Sequence, residues 1–130
     1  MGQGSDTIFI AATPATRWPL DLTGFGERLR DRWPEVRLTA RPALAPNHGR
    51  LAFELDIDGE RRHGTYFDRR YLVLEDGTPR FWAETITWFL ALLPADAHVV
   101  CLTEAVPEPV PLPRDADAGQ VVAVLESLAG

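Results

Sequence analysis

Three carboxylates stand at alternate positions of one segment, at Glu54, Asp56 and Asp58. In an extended strand alternate side chains point to the same face, so these acids would be neighbours. Carboxylates that lie close together can raise the pKa of one member, and such a pair can act as general acid and base. Glu54 and Asp56 are therefore the candidate acid–base pair of a small enzyme.

A solvated surface explains the same acids without catalysis, and we favour it. The dipeptide Asp58-Gly59 is typical of a tight hairpin turn. The returning strand would bring Arg61, Arg62 and His63 beside the acids. Opposite charges on neighbouring strands commonly decorate an exposed sheet face. This arrangement favours a structural role for the acids.

Nucleophilic chemistry is poorly supported by the composition. Ser5 and Ser127 are the only serines, and neither lies in a Gly-x-Ser-x-Gly turn. All 13 basic residues are arginines, so lysine chemistry is absent. Cys101 lies within an apolar run, where a thiol usually behaves as a small hydrophobic group. We predict no catalytic residue of these types.

The histidines do not predict a metal site. His48, His63 and His98 are far apart, and none forms a spacing typical of zinc ligands. Glycine-rich phosphate-binding motifs are also missing from the sequence. We therefore expect neither a metal nor another cofactor.

The distribution of charge bears on the kind of partner. The formal net charge is −6, with +1 in residues 1–70 and −7 in residues 71–130. An acidic half repels phosphate backbones, whereas nucleic-acid binding needs a surplus of basic groups. A protein partner is therefore favoured over a nucleic acid.

The candidate interface lies at a loop that carries tryptophan and arginine. Arg17 and Trp18 precede Pro19, and packing does not explain this tryptophan. Exposed tryptophan and arginine are the residues that dominate many protein interfaces. A second, long loop joins Arg41 to Arg50. The candidate interface residues are Arg17, Trp18, Arg41, His48 and Arg50.

Hydrophobic periodicity predicts an α+β fold. The expected order is β-α-β-β-β-β-α-β-α, a mainly antiparallel sheet of about five or six strands with two helices on one face and a short C-terminal helix. The first helix begins after an N-cap at Asp21, and the second has Thr78 as N-cap and Pro79 in its first position. The second helix should reach Leu93, where Pro94 ends it.

The length is that of a single domain over residues 1–130. Residues 1–6 are expected to be frayed. Residues 106–116 are expected to form a proline-rich connector, in which Pro107 to Pro113 cannot pair in a sheet. The sequence has no apolar run long enough for a membrane span and no signal-peptide pattern at its start, so we expect a cytoplasmic protein without a membrane partner.

Three segments resemble small actinobacterial α+β proteins. They are the helix end AETITWFLALLP at 83–94, the strand HVVCL at 98–102, and VPLP at 110–113 before an acidic helix start. The shared motifs are structural, so the resemblance implies no catalytic residue. Size and element order are also similar to those of some bacterial immunity proteins, although fold alone does not give function.

These observations favour a non-enzymatic protein-binding domain of the adaptor or immunity type. The alternatives are a small enzyme that uses Glu54 and Asp56, or a domain that binds a small molecule.

Overall fold

The computed structural model describes residues 7–13, 16–41, 49–57, 59–75, 78–104, 106 and 108–128. The frayed segment expected at 1–6 and the candidate interface residue His48 lie outside these ranges. The strands are β1 (Ile8–Ala12), β2 (Arg37–Arg41), β3 (Arg50–Ile57), β4 (Glu60–Phe67), β5 (Tyr71–Glu75), β6 (Val99–Thr103) and β7 (Val110–Pro111). The helices are α1 (Leu22–Arg32), α2 (Pro79–Ala91) and α3 (Ala118–Ser127).

The seven strands form one antiparallel sheet in the order β2-β3-β4-β5-β1-β6-β7. Four consecutive strands, β2 to β5, pair as neighbours. Strand β1 then lies between β5 and β6, in the middle of the sheet. Gly59 has a φ of 80° at the β3–β4 turn, a conformation that glycine adopts without strain. The predicted α+β class is confirmed.

The helices cover one face of the sheet. Phe25 of α1 packs against Phe53 and stacks on Tyr66, and Phe89 of α2 meets the edge of the Tyr66 ring. Helix α3 packs on α2 and reaches β6, where Thr103 donates a hydrogen bond to the carbonyl of Leu128. This layer buries the alternate strand residues that point toward it.

Each helix begins at a side chain that satisfies a free backbone amide. Asp21 accepts a hydrogen bond from the amide of Gly24, and Thr78 accepts one from the amide of Phe81. Both predicted N-caps are confirmed. Asp117 and Gln120 form a reciprocal capping box at the start of α3. Helix α2 ends at Ala91, slightly before the predicted Leu93.

The proline-rich connector differs from our prediction. Val110 pairs with Cys101 and Pro111 with Val100, which makes β7 a seventh strand. The amide of Leu112 also donates to the carbonyl of Val99 at 2.9 Å. The prediction that Pro107 to Pro113 cannot pair in a sheet is wrong. Proline lacks only the N–H, and on an edge strand a missing donor can face away from the ladder.

Candidate functional site

The helix-free face of the sheet carries a group of apolar side chains. In β1 and β5 the side chains of Ile8, Ile10, Leu72 and Leu74 are buried in the core, and the residues between them point to the opposite face. We call the part-buried residues on that opposite face the apolar band: Phe9, Phe67, Tyr71, Val73, Val100 and Leu102. None of the six belongs to the hydrophobic core cluster or packs against it.

The pairing register makes the apolar band continuous across several strands. Phe9 pairs with Val73 on one side and with Leu102 on the other. Phe67 pairs with Tyr71, and their rings stack at 4.6 Å between centroids. Aromatic and branched side chains opposite one another stabilise a sheet. All six side chains also keep part of their surface exposed.

Arg50 borders the apolar band. It pairs with Phe67, and its guanidinium carbon lies 6.0 Å from the centre of the Phe67 ring. This geometry is that of a cation–π contact at its outer limit. Arg50, Phe67 and Tyr71 therefore form a row of an arginine and two aromatic rings on the helix-free face.

A tight turn after β4 brings more arginines to the same corner. The amide of Arg70 donates to the carbonyl of Phe67, and Arg69 has a φ of 62°. The amide of Trp18 donates to the carbonyl of Arg69 at 2.9 Å, which places Arg17 beside this turn. We call the set Arg17, Arg50, Arg69 and Arg70 the arginine corner. Within the described ranges, none of these four side chains forms an ion pair.

The candidate interface residues are thus brought together in part. Arg17 and Arg50 are exposed members of the arginine corner. Arg41 pairs with Arg50 through the backbone of β2 and β3, while its side chain lies outside the part of the chain that is described. Of the predicted interface residues, Arg17 and Arg50 therefore lie near the turn that joins β4 to β5.

Trp18 contradicts the prediction of an exposed interface tryptophan. Its exposure is 2%, and its ring meets the edge of Phe89 at 5.2 Å between centroids. The plane of its ring is also parallel to that of Tyr66, at 6.4 Å. The hydrogen bond to Arg69 draws the 16–20 segment across the helix-covered side, so Trp18 fills the core and cannot contact a partner from there.

A charged row crosses the same helix-free face on the other side of the apolar band. Arg37, Glu54, His63 and Glu75 are in register on four adjacent strands. Nε2 of His63 lies 2.9 Å from Oε2 of Glu54, with 48% and 32% of the two side chains exposed. Glu54 is therefore paired with His63, one of the three cations expected beside the acids. Arg62 pairs instead with Glu60, and Asp58 lies outside the described residues.

Two adjoining hollows lie along the charged row. The larger, of about 410 Å³, extends from Arg37 to Glu75 and includes the Glu54–His63 pair. The smaller, of about 220 Å³, also contains Asp56 and Arg61. Asp56 and Arg61 are in register but are not within ion-pairing distance. The carboxylates Glu54 and Asp56 thus line one polar hollow.

Cys101 and His98, the other reactive side chains of β6 and its approach, lie in different surroundings. Burial raises the pKa of the Cys101 thiol to about 11, which keeps it protonated and unreactive at neutral pH. His98 is exposed, while Cys101 points into the core. In the described segments no cluster of three histidine, cysteine or acidic side chains could bind a metal ion.

The comparisons with known proteins give no relative: the chain matches no family model, no curated protein and no solved structure. Across the part of the chain that the structure describes, every helix is too short or too polar to cross a lipid bilayer.

Sequence analysis missed the apolar band. The runs Ile8–Ala12 and Val99–Thr103 are apolar on both faces. Such runs favour a central strand covered on both faces. The number of predicted helices could have indicated this surface, because those helices suffice to cover only one face of the sheet. The outward half of each apolar run was therefore identifiable as uncovered.

Proposed function

We propose that this chain is a non-enzymatic protein-binding domain of the adaptor or immunity type that docks through its helix-free face. The observation that supports the proposal is the apolar band, six part-buried apolar residues that lie outside the core. Contiguous apolar surface of this kind commonly marks a binding site. The arginine and tyrosine beside it, Arg50 and Tyr71, are residue types that contribute strongly at interfaces.

The charges around the apolar band define the partner's surface. Arg50 borders the band on the helix-free face and forms no ion pair within the described ranges, so it favours acidic groups opposite it. On the other side of the band, Glu75 and Glu54, the latter already paired with His63, present carboxylates that favour basic groups opposite them. The partner is therefore a protein with an apolar strip between an acidic border and a basic border. Such charge complementarity steers association and fixes the orientation of the complex.

The test is a comparison of variants, not capture alone. Wild type, Arg50→Glu, Tyr71→Ala and a helix-face control, Arg30→Glu, are immobilised and exposed to a lysate of the source cells. Proteins retained by wild type and by the control but lost from both face variants are purified. We expect one of them to bind wild type in calorimetry and to protect amides of β1, β4 and β5 from hydrogen exchange.

The variants must first be shown to fold, by circular dichroism and thermal unfolding. Arg30 is an exposed residue of α1, on the opposite side of the sheet, so its reversal changes charge by the same amount without altering the face. Retention of every captured protein by all four chains would contradict docking through this face.

The polar hollows support a second candidate function, the binding or turnover of a small molecule. Glu54 and Asp56 would then bind the ligand or act as acid and base, with His63 orienting Glu54 at 2.9 Å. The test is a thermal-shift screen of polar metabolites with wild type and a Glu54→Gln, Asp56→Asn double variant. A stabilisation seen only with wild type would favour this candidate, and identical responses would exclude it.

A further inference from the structure

We infer that the helix-free face is built to receive a second copy of this chain, face to face about a two-fold axis. The inference rests on the proposed function, because it names the partner of the same surface. The partner was defined above as an apolar strip between an acidic and a basic border. On the chain's own helix-free face a row of uncharged residues lies between Arg50 on one side and Glu54 on the other.

The order of residues along β3 shows the arrangement most simply. Ala52 begins a row of residues paired across the sheet, which continues through Thr65, Val73, Phe9 and Leu102. We call these five residues the middle row. Arg50 lies two residues before Ala52 and Glu54 two residues after it, and all three side chains point to the helix-free face. The middle row is thus flanked by a cation on one side and a carboxylate on the other.

In the proposed dimer the two-fold axis lies between the two sheets and runs parallel to the middle row. A rotation of 180° about this axis places the Arg50 side of one copy over the Glu54 side of the other. The middle row of one copy then packs on the same row of the other, with Phe9 and Val73 at its centre. Arg50 of each copy faces Glu54 of the other, so the contact forms twice. This is the self-complementary relationship that a two-fold interface requires. The strands of the two sheets stay roughly aligned, as in common sheet-on-sheet packing.

Arg50 and Glu54 cannot pair within one chain. They lie on the same extended strand, four residues and about 13 Å apart. Arg50 has no acidic partner within the described ranges, whereas Glu54 is held by His63. A direct ion pair between these two residues therefore has to form between copies.

The size of the face sets the concentration at which pairing is expected. The six strands of five or more residues, spaced about 4.8 Å apart and about 17 Å long, give a face of roughly 24 by 17 Å. A standard stable interface buries about 800 Å² on each partner. The face is well below that size, so we expect a weak dimer that forms as concentration rises.

The experiment is sedimentation equilibrium of the full chain from about 10 µM to about 1 mM. We expect wild type to pass from monomer to dimer in this range. Arg50→Glu and Glu54→Arg should each raise the dissociation constant about tenfold or more, since each places like charges together twice. The double variant Arg50→Glu, Glu54→Arg should recover most of the loss. The matched control is the helix-face swap Glu27→Arg, Arg30→Glu, which should leave dimerisation unchanged.

The outcomes separate this inference from the proposed function. A wild type that stays monomeric to about 1 mM overturns the second copy as occupant, while the lysate comparison still tests docking by another protein. A dimer that is indifferent to both single reversals, or a double variant that is as weak as either single one, overturns the proposed face-to-face arrangement. If the dimer forms but both face variants still retain every lysate protein, only the wider adaptor function is overturned.

Discussion

The ring of Phe53 occupies the space beside the α-carbon of Gly64, its direct partner on the neighbouring strand. A methyl group built on Gly64 would lie 2.4 Å from Cζ of Phe53, well inside contact distance. The absence of a side chain at 64 thus allows the Phe53 ring to lie flat across the strand, where it meets Phe25 of α1 at 5.6 Å between centroids. One glycine on β4 determines how α1 packs.

We expect Gly64→Ala to lower the free energy of unfolding by about 1 to 3 kcal/mol, since the Phe53 ring must shift within a packed core. The control is Gly119→Ala in α3, where the added methyl group would lie 3.4 Å from Oδ1 of Asp117, an ordinary contact. The control should be neutral or stabilising by up to about 1 kcal/mol, because alanine favours helix. Chemical denaturation measures both. Equal midpoints for Gly64→Ala and wild type would contradict the packing argument.

Trp18→Ala should destabilise the fold by about 3 to 5 kcal/mol, since it empties a core position 2% exposed between Tyr66 and Phe89. Arg17→Ala, at the exposed neighbouring position, should change stability by less than about 0.5 kcal/mol. Thermal and urea unfolding provide the comparison. Were Trp18 an exposed interface residue, its replacement would leave the unfolding midpoint unchanged.

Asp117→Ala should cost about 1 kcal/mol, since it removes the acceptor for the amide of Gln120 at 2.8 Å. The Gln120 side chain accepts from the backbone amide of residue 117 at 2.9 Å, and that half of the capping box remains in the variant. Asp115→Ala removes the same charge two residues earlier without a cap and serves as the control. Helix content by circular dichroism and the denaturation midpoint should fall for the first variant alone. Equal behaviour of the two would show that charge, not capping, is responsible.

Stability should fall as pH rises from about 9 toward 11. Burial raises the pKa of Cys101 to about 11 in the folded chain, so the unfolded chain releases this proton first. Between its ordinary pKa and the raised one, the folded state binds more protons, and ionisation of the unfolded state draws the equilibrium away from the fold. The pKa of Tyr66 is raised by burial and by Asp68, and it acts in the same direction at higher pH.

The measurement is the denaturation midpoint at a series of pH values, for wild type and Cys101→Ala. The variant is expected to be less stable overall but to lose less stability over this alkaline range. Alkylation of Cys101 in the folded chain should also be slow at neutral pH, since the thiol is buried and protonated. Parallel pH curves for the two chains would contradict a role for this thiol.

The features that the sequence predicted correctly depend on contacts between residues close together in the chain. Asp21 and Thr78 are recognised as caps because their partners lie three residues away. The alternation of β3 is likewise visible within one segment. The burial of Trp18 and the pairing of β7 depend instead on residues distant in sequence, Arg69 and Cys101. The sequence around Trp18 or β7 does not indicate such contacts. Of the candidate site, the Glu54–His63 pairing followed from the hairpin turn, whereas the apolar band required knowledge of which face the helices cover.

The two ends of the sheet limit how copies of this chain can add to one another. Strand β7 has only two residues, and Pro111 offers no amide hydrogen to an incoming strand. At the opposite end, β2 contains Arg37 and Arg41, and charged residues on an edge discourage strand addition. Growth by lengthening the sheet, the route that leads to fibres, is therefore hindered at both edge strands, even though part of the surface between them is apolar.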